Sequence, residues 1–230
     1  FRAPRGNTAH KTIGKDHAFA QRLWEHGWHD TRMLATMVDD PTMVTPAQMD
    51  AWCKDFDTWA ITDTACFVLF DKTPHAFTKI DQWAKRKAEF EKRAAFALLA
   101  SVALHDKKTE DKPFMARLPL IRAAANDERN FVKKGVSWAL RGMASRSTGL
   151  RNAALALAEE LAASDNITER GGLGDIAMAF ATHADTGNTK FLIRGTGMKV
   201  GGGGTCYPEP CAGGQGAGFW VTGTAEIGRA

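Results

Sequence analysis

The stretch KRAAFALLAS, residues 92–101, places two cations before a run of small and aliphatic residues. Two other stretches have the same organisation: TRMLATMV at 31–38 and KKGVSWALRGMAS at 133–145. Apolar residues recur at helical spacing in all three, and small residues let neighbouring helices approach closely. These stretches therefore predict similar helices that pack against one another.

The spacing of these stretches indicates a repeat. The leading cations Arg32, Arg93 and Lys134 lie about 60 and 40 positions apart, and the segment led by Asp63 falls midway through the longer gap. Intervals near 30, 30 and 40 residues are typical of stacked helix pairs of the HEAT or armadillo type. We therefore expect an all-α fold, a HEAT-like α-solenoid of antiparallel helix pairs with a concave basic face.

Helical periodicity extends from about residue 30 to 164, and no segment alternates with the period of a strand. Three start signals support the assignment: Thr45 before Pro46, Thr62 and Asp63 before an apolar run, and Asp127 before Glu128. The predicted helices are 17–28, 30–38, 46–57, 62–71, 74–87, 89–104, 113–125, 128–146 and 149–163.

The composition changes after about residue 166. Sixteen of the 22 glycines lie in the last 60 residues, including GGGG at 201–204, and helical periodicity is lost. We therefore predict a helical-repeat domain over residues 1–165 and an atypical glycine-rich tail, irregular or disordered, over residues 166–230.

Composition excludes several classes of protein. With 24% charged and 44% hydrophobic residues the 230-residue chain is typical of a globular protein, and its net charge of +4 is weak support for an anionic partner. The four cysteines lack the spacing of a zinc site and the density of a disulfide scaffold, and no apolar run is long enough to cross a bilayer. His26 and His29 stand three residues apart without a carboxylate at the spacing of a metal-binding motif, which favours surface histidines. We expect a cytoplasmic protein without a metal site.

Trp59 and Asp63 stand four residues apart, so on a helix they project from the same side. Spacing alone leaves two interpretations open: Asp63 caps a helix while Trp59 is core, or both face a site. Arg93 could equally bond to a neighbouring helix, and Trp138 could be another core tryptophan.

Four longer segments strongly resemble the sequence motifs of one protein family. They occur in the same order as in that family and at similar separations. They are LWEHGWHDTRMLATMVDDPTMVT (23–45), QMDAWCKDFDTWAITDTACFVLFDKTP (48–74), EFEKRAAFALLASVALHDKK (89–108) and DERNFVKKGVSWALRGMASRS (127–147). The family is that of the DNA alkylation repair proteins, the AlkD-like glycosylases built from HEAT-like repeats. The resemblance covers about residues 15–163.

The resemblance implies a catalytic quartet around a damaged nucleotide: Trp59, Asp63, Arg93 and Trp138. An N3- or N7-alkylated purine carries a positive charge and leaves without a general acid, so only the sugar cation needs stabilisation. A carboxylate can stabilise that cation and orient water, which is the role expected of Asp63. The tryptophans would pack against the cationic nucleotide, and Arg93 would hold a phosphate.

The implied activity is a glycosylase of base excision repair that excises cationic alkylpurines from duplex DNA without base flipping. The expected protein is a monomer that needs no cofactor, touches no membrane and associates with the nucleoid when bound to DNA. Two alternatives stay open: a non-catalytic binder of damaged or branched DNA, and a protein-interaction scaffold. The cations expected to contact DNA phosphates are Arg32, Lys107, Lys108, Lys133, Lys134, Arg141 and Arg146.

Truncation after Asp165 tests the predicted tail. Because residues 166–230 lack helical periodicity and are rich in glycine, their removal should leave the midpoint of thermal unfolding nearly unchanged. A fall of about ten degrees or more in calorimetry, equivalent to a few kcal/mol, would show that the tail belongs to the fold.

Overall fold

The computed structural model describes residues 9–163, and this part of the chain is helical throughout, without a strand. The all-α prediction is confirmed. The predicted tail, residues 166–230, lies outside the described residues and stays a prediction. A 3-10 turn occupies Phe70–Lys72, and the helices are α1 Ala9–Ile13, α2 His17–Glu25, α3 His29–Val38, α4 Pro46–Lys54, α5 Trp59–Val68, α6 Ala76–Trp83, α7 Glu89–His105, α8 Lys112–Met115, α9 Leu118–Ala124, α10 Asn130–Ala144 and α11 Thr148–Ala162.

Helix α5 begins three residues before its predicted start. Thr58 is the N-cap, and its hydroxyl oxygen accepts a hydrogen bond from the Ile61 amide at 3.4 Å. The Thr62 hydroxyl donates to the Thr58 carbonyl at 2.7 Å and so lies inside the helix. The prediction that Thr62 and Asp63 start this helix was wrong, because two threonines four residues apart offer the same capping chemistry. Asp63 consequently lies in the second turn of α5.

Other boundaries follow local chemistry. Thr45 caps α4 as predicted, since its side chain accepts from the Gln48 amide at 3.1 Å. The predicted helix 113–125 is instead the two helices α8 and α9, because Pro119 has no N–H to donate to the carbonyl of Met115. Asp127 does not start α10, which begins at Asn130.

Helices α3, α5, α7 and α10 pack side by side in that order, and we call them the central row. Behind it, α2 packs on α3, α6 on α7, and both α9 and α11 on α10. Every residue of α7 from Arg93 to Ala103 is buried, because helices surround it. A Cβ at Gly142 would lie 3.3 Å from the backbone of Ala100, so the small residues allow α10 to approach α7 closely.

Asp50 connects α4 to α6. Its carboxylate accepts hydrogen bonds from Lys79 Nζ at 2.6 Å, Trp83 Nε1 at 2.7 Å and Arg86 at 2.6 Å. Burial alone would raise the pKa of Asp50, but the hydrogen bonds from Lys79 and Trp83 lower it overall. The Lys79 side chain is 3% exposed, so Asp50 supplies the counter-charge that water cannot.

Within residues 9–163 no helix is both long enough and apolar enough to span a bilayer.

Replacement of the Asp50 carboxylate should destabilise the fold. Asp50→Ala would leave the buried Lys79 ammonium without its counter-charge, and we expect a loss of about 2–4 kcal/mol in the free energy of unfolding, measured by urea denaturation. Asp57→Ala is the matched control, because Asp57 is exposed. Equal midpoints for the two variants would contradict a stabilising role for Asp50.

Candidate functional site

Asp63 and Arg93 form a bidentate ion pair between α5 and α7. Arg93 Nε donates to Oδ1 of Asp63 at 2.9 Å, and an NH2 hydrogen is donated to Oδ2 at 2.6 Å. A third donor, NH1, reaches the Phe131 carbonyl on α10 at 2.7 Å. Arg93 is 6% exposed and the Asp63 side chain 20% exposed. One guanidinium group therefore connects three helices of the central row.

Gly135 lies where α10 packs against Arg93. A Cβ there would lie 3.5 Å from both Cγ and the backbone carbonyl oxygen of Arg93, which is ordinary van der Waals contact. The first turns of α10 therefore lie close to Arg93, and the Phe131 carbonyl is within reach of the guanidinium group.

The environment of Asp63 strengthens the effect of its charge. Burial raises the pKa of the Asp63 carboxyl group, while the hydrogen bonds and charge of Arg93 oppose that rise. Asp63 is not a helix cap, because Thr58 fills that role. The Asp63 carboxylate is poorly solvated and is fixed in position by two N–H donors of Arg93. Such a carboxylate is suited to electrostatic stabilisation of a nearby cation.

The two tryptophans lie on α5 and α10, two helices of the central row. Trp59 is the first residue of α5, one turn before Asp63 on the same side of the helix. Phe67 follows Asp63 by one turn, and its ring lies 6.4 Å from that of Trp138 on α10, at an interplanar angle of 24°. Trp59 and Trp138 are both half-buried. The structure thus brings the predicted quartet onto three adjacent helices, with a direct bond between Asp63 and Arg93.

Two of the predicted DNA-contacting arginines are held by the fold. Arg32 donates to the Asp55 carbonyl at 3.1 Å, lies 3.6 Å from the Asp55 carboxylate and covers the Trp24 ring at 5.3 Å. Arg146 is buried, donates to the backbone carbonyls of Asp106 and Thr109, and lies over Phe114 at 4.3 Å. Any contact of these arginines with DNA would be additional to these bonds.

The remaining predicted cations are more accessible. Lys107, Lys108 and Lys134 are exposed, and Lys133 is half-buried. Arg141 Nε donates to the Ser137 carbonyl at 3.3 Å, and burial lowers the pKa of Arg141. Lys134, Trp138 and Arg141 stand at i, i+4 and i+7 of α10, so two cations flank the tryptophan on one side of this helix.

Comparison with known proteins identifies the family of the chain. The sequence pattern of one family, described as DNA alkylation repair enzyme, matches residues 3–170. The chain belongs to the DNA alkylation repair enzyme family. The resemblance inferred from the four sequence segments is confirmed.

A solved structure resembles this DNA alkylation repair family member in fold, with a TM-score of 0.61 at 16% identity over 72% of this chain and 75% of that chain. That structure is described as "a new family of proteins related to the HEAT-like repeat DNA glycosylases with affinity for branched DNA structures". The predicted HEAT-like fold is thereby confirmed. No curated protein sequence matches the chain significantly.

Sequence reasoning missed three side chains beside the quartet. Phe67 contacts Trp138, and the His105 ring meets Phe67 edge-on at 4.2 Å between centroids. Nδ1 of His105 contacts Oδ2 of the buried Asp71. Phe67 could have been found from its position one turn after Asp63. The pairing of His105 with Asp71, 34 residues apart, has no local sequence signal.

A pH-dependent double-mutant cycle tests the dependence of Asp63 on Arg93. Arg93→Met would leave the Asp63 carboxyl group without its cation and raise its pKa further. A raised pKa means that the folded state binds the proton more tightly, so stability is fully present below the unfolded pKa of about 3.9 and falls as pH rises toward the folded pKa. Relative to the parent, we expect a loss of about 2–4 kcal/mol at pH 7 and a smaller loss near pH 4.5.

Addition of Asp63→Asn to Arg93→Met should recover part of that loss at pH 7, because it removes the unpaired charge. Arg122→Met is the control, because Arg122 forms an exposed ion pair with Glu160 on the surface. A loss of stability that is independent of pH and is not relieved by Asp63→Asn would show that Arg93 acts through packing rather than through charge.

Proposed function

We propose that this protein is a DNA glycosylase that removes cationic N3- or N7-alkylated purines from duplex DNA without extruding the base. The observation that carries the proposal is the Asp63 carboxylate, fixed by Arg93 at 2.6 and 2.9 Å, with a half-buried tryptophan on the same helix and another on α10. A carboxylate held in place by an arginine suits a reaction in which positive charge develops on a sugar. Membership of the DNA alkylation repair enzyme family supports the same reaction class.

The proposed reaction is hydrolytic. The bond between C1′ and the purine nitrogen breaks, and its electron pair neutralises the charge of the leaving base. Positive charge passes to the deoxyribose, where the fixed carboxylate of Asp63 stabilises it more effectively than a solvated one could. A water molecule, oriented by that carboxylate, forms the new bond to C1′ and releases a proton to solvent. No cofactor is needed, because the charged base is already a good leaving group.

The role proposed for Arg93 differs from the phosphate contact that the sequence suggested. Three of its donors already bind Asp63 and the Phe131 carbonyl, and the side chain is buried. We assign Arg93 to holding Asp63 in place and ionised, against the effect of burial on its pKa. Binding of DNA phosphates then belongs to exposed cations such as Lys134.

Trp59 and Trp138 suit a substrate that carries positive charge. An indole face attracts a cation with about 0.5–2 kcal/mol, depending on how far the contact is desolvated. We expect the ring of Trp59 on α5 and the ring of Trp138 on α10 to contact the damaged nucleotide from two helices. In this proposal the protein acts as a monomer in the cytoplasm.

A second candidate function is non-catalytic binding of branched DNA. The Asp63 charge is already paired with Arg93, and a paired carboxylate stabilises a further cation less than an unpaired one does. The solved relative of similar fold is described as having affinity for branched DNA structures. This alternative predicts binding to junctions without release of a base.

Asp63→Asn distinguishes the two candidates. Asparagine keeps the shape and one acceptor oxygen but removes the charge, so excision of N7-methylguanine from a duplex should slow by about 10- to 1000-fold. The assay counts alkali-labile abasic sites on a gel under single-turnover conditions. Circular dichroism and binding to undamaged DNA should change little, and exposed Asp57→Asn is the matched control.

Two outcomes would contradict the proposed glycosylase. An Asp63→Asn variant that excises the base at the parent's rate would remove the assigned mechanism. A parent protein that releases no base but prefers a four-way junction to a linear duplex would favour the second candidate.

A further inference from the structure

His105 and Asp71 form a second polar pair at the far end of the central row. His105 is the last residue of α7, twelve positions after Arg93 on the same helix. At 1.5 Å per residue the two side chains are separated by about 18 Å along the helix axis. Asp71 belongs to the 3-10 turn that follows α5. The pair makes no contact with Asp63 or Arg93 and meets the quartet through Phe67, whose ring lies against His105 and near Trp138.

The geometry of this pair is asymmetric. The Asp71 side chain is 0% exposed, whereas the His105 side chain is 36% exposed. Oδ2 of Asp71 contacts Nδ1 of His105, and Oδ1 makes no hydrogen bond to another residue within 9–163. Burial raises the pKa of the Asp71 carboxyl group, and the hydrogen bond from His105 opposes the rise. A buried carboxylate with one partner is best compensated when that partner is a cation.

This contact determines the state of the imidazole. Because a carboxylate can only accept, Nδ1 of His105 carries the proton that is donated to Asp71. Such a partner fixes the orientation of the ring, as second-layer carboxylates do for histidines elsewhere. The edge of Phe67, with centroids 4.2 Å apart, limits rotation of the ring. Nε2 makes no hydrogen bond within the described part of the chain and is left to bind an external group.

Exposed lysines stand next to both members of the pair in the chain. Lys72 follows Asp71, donates to the Val68 carbonyl at 2.6 Å and remains exposed, and the exposed Lys107 and Lys108 follow His105 after Asp106. The acidic side chains of the loop after α7 are Asp106, Glu110 and Asp111. Asp106 accepts from Thr109, and Asp111 lies 3.7 Å from Arg146 and accepts from Ser147. The half-exposed imidazole therefore has accessible lysines in the two connecting segments that hold the pair.

We propose that His105, oriented by Asp71, is a DNA-backbone contact that donates Nε2–H to a phosphate of the duplex flanking the damaged nucleotide. The inference rests on the proposed function only in that the central row binds DNA. The ring contacts from His105 through Phe67 to Trp138 place this phosphate beside the damaged nucleotide rather than on it. His105 is therefore a positioning residue that sets where the duplex lies.

The test measures binding to an undamaged, fluorescein-labelled duplex of about 24 base pairs by anisotropy at pH 6.5, over a series of salt concentrations. His105→Gln should weaken binding by about 3- to 10-fold near 100 mM salt and reduce the log–log salt slope by about 0.9, the value for one phosphate contact. His105→Lys should restore the slope, because it returns a cation to the same place. His75→Gln, a histidine at the start of α6, is the matched control and should change neither quantity.

Asp71→Asn should reproduce the loss seen with His105→Gln, and the double variant should lose no more than either single variant, because both act through one contact. The single-turnover excision rate at saturating enzyme should be unchanged in His105→Gln. An unchanged salt slope in His105→Gln, or an equal loss in His105→Lys with a lowered melting temperature, would overturn the inference. Absence of base release by the parent would contradict the glycosylase while leaving the His105 result to be judged from binding alone.

Discussion

Arg93 lies where α5, α7 and α10 meet, and its guanidinium group satisfies one partner on each neighbouring helix. Transfer of an arginine and an aspartate out of water is costly, so the pair is stable only if its geometry supplies all the bonds that water supplied. The fork of Arg93 meets both oxygens of Asp63 and the Phe131 carbonyl, which fixes the spacing of the three helices. The rest of the central row depends on this spacing, because the close packing of α10 on α7 begins at the same place, at Gly135.

The same pair therefore serves the fold and the candidate chemistry. A carboxylate useful to a developing cation must be poorly solvated, fixed and charged at once, and burial works against the last of these. Arg93 holds the carboxylate in place and opposes the effect of burial, which still leaves the pKa of Asp63 raised. This explains why an arginine that resembles a substrate-binding residue in sequence is buried inside the protein.

Local sequence information was sufficient to predict the helical architecture and the buried run of α7, because small and aliphatic residues at helical spacing indicate a buried helix. It failed at the start of α5, where Thr58 and Thr62 are equivalent capping residues until the backbone is known. The quartet came from resemblance rather than from spacing. The environment of Arg146 could not be predicted, since its partner carbonyl at Thr109 lies 37 residues away. Planar guanidinium groups suit such buried carbonyls, whereas the exposed cations Lys107 and Lys108 have compact, strongly hydrated ammonium groups.

The unbroken burial of α7 from Arg93 to Ala103 also restricts how the length of the chain can vary. One residue inserted in this stretch would turn everything after it by about 100° and move it by about 1.5 Å, which would direct buried leucines toward different neighbours. The number of residues between Arg93 and the end of α7 is therefore fixed, as is the distance between them. Insertions and deletions are better accommodated in connecting segments than in this helix, because a change in loop length does not rotate a buried helical face.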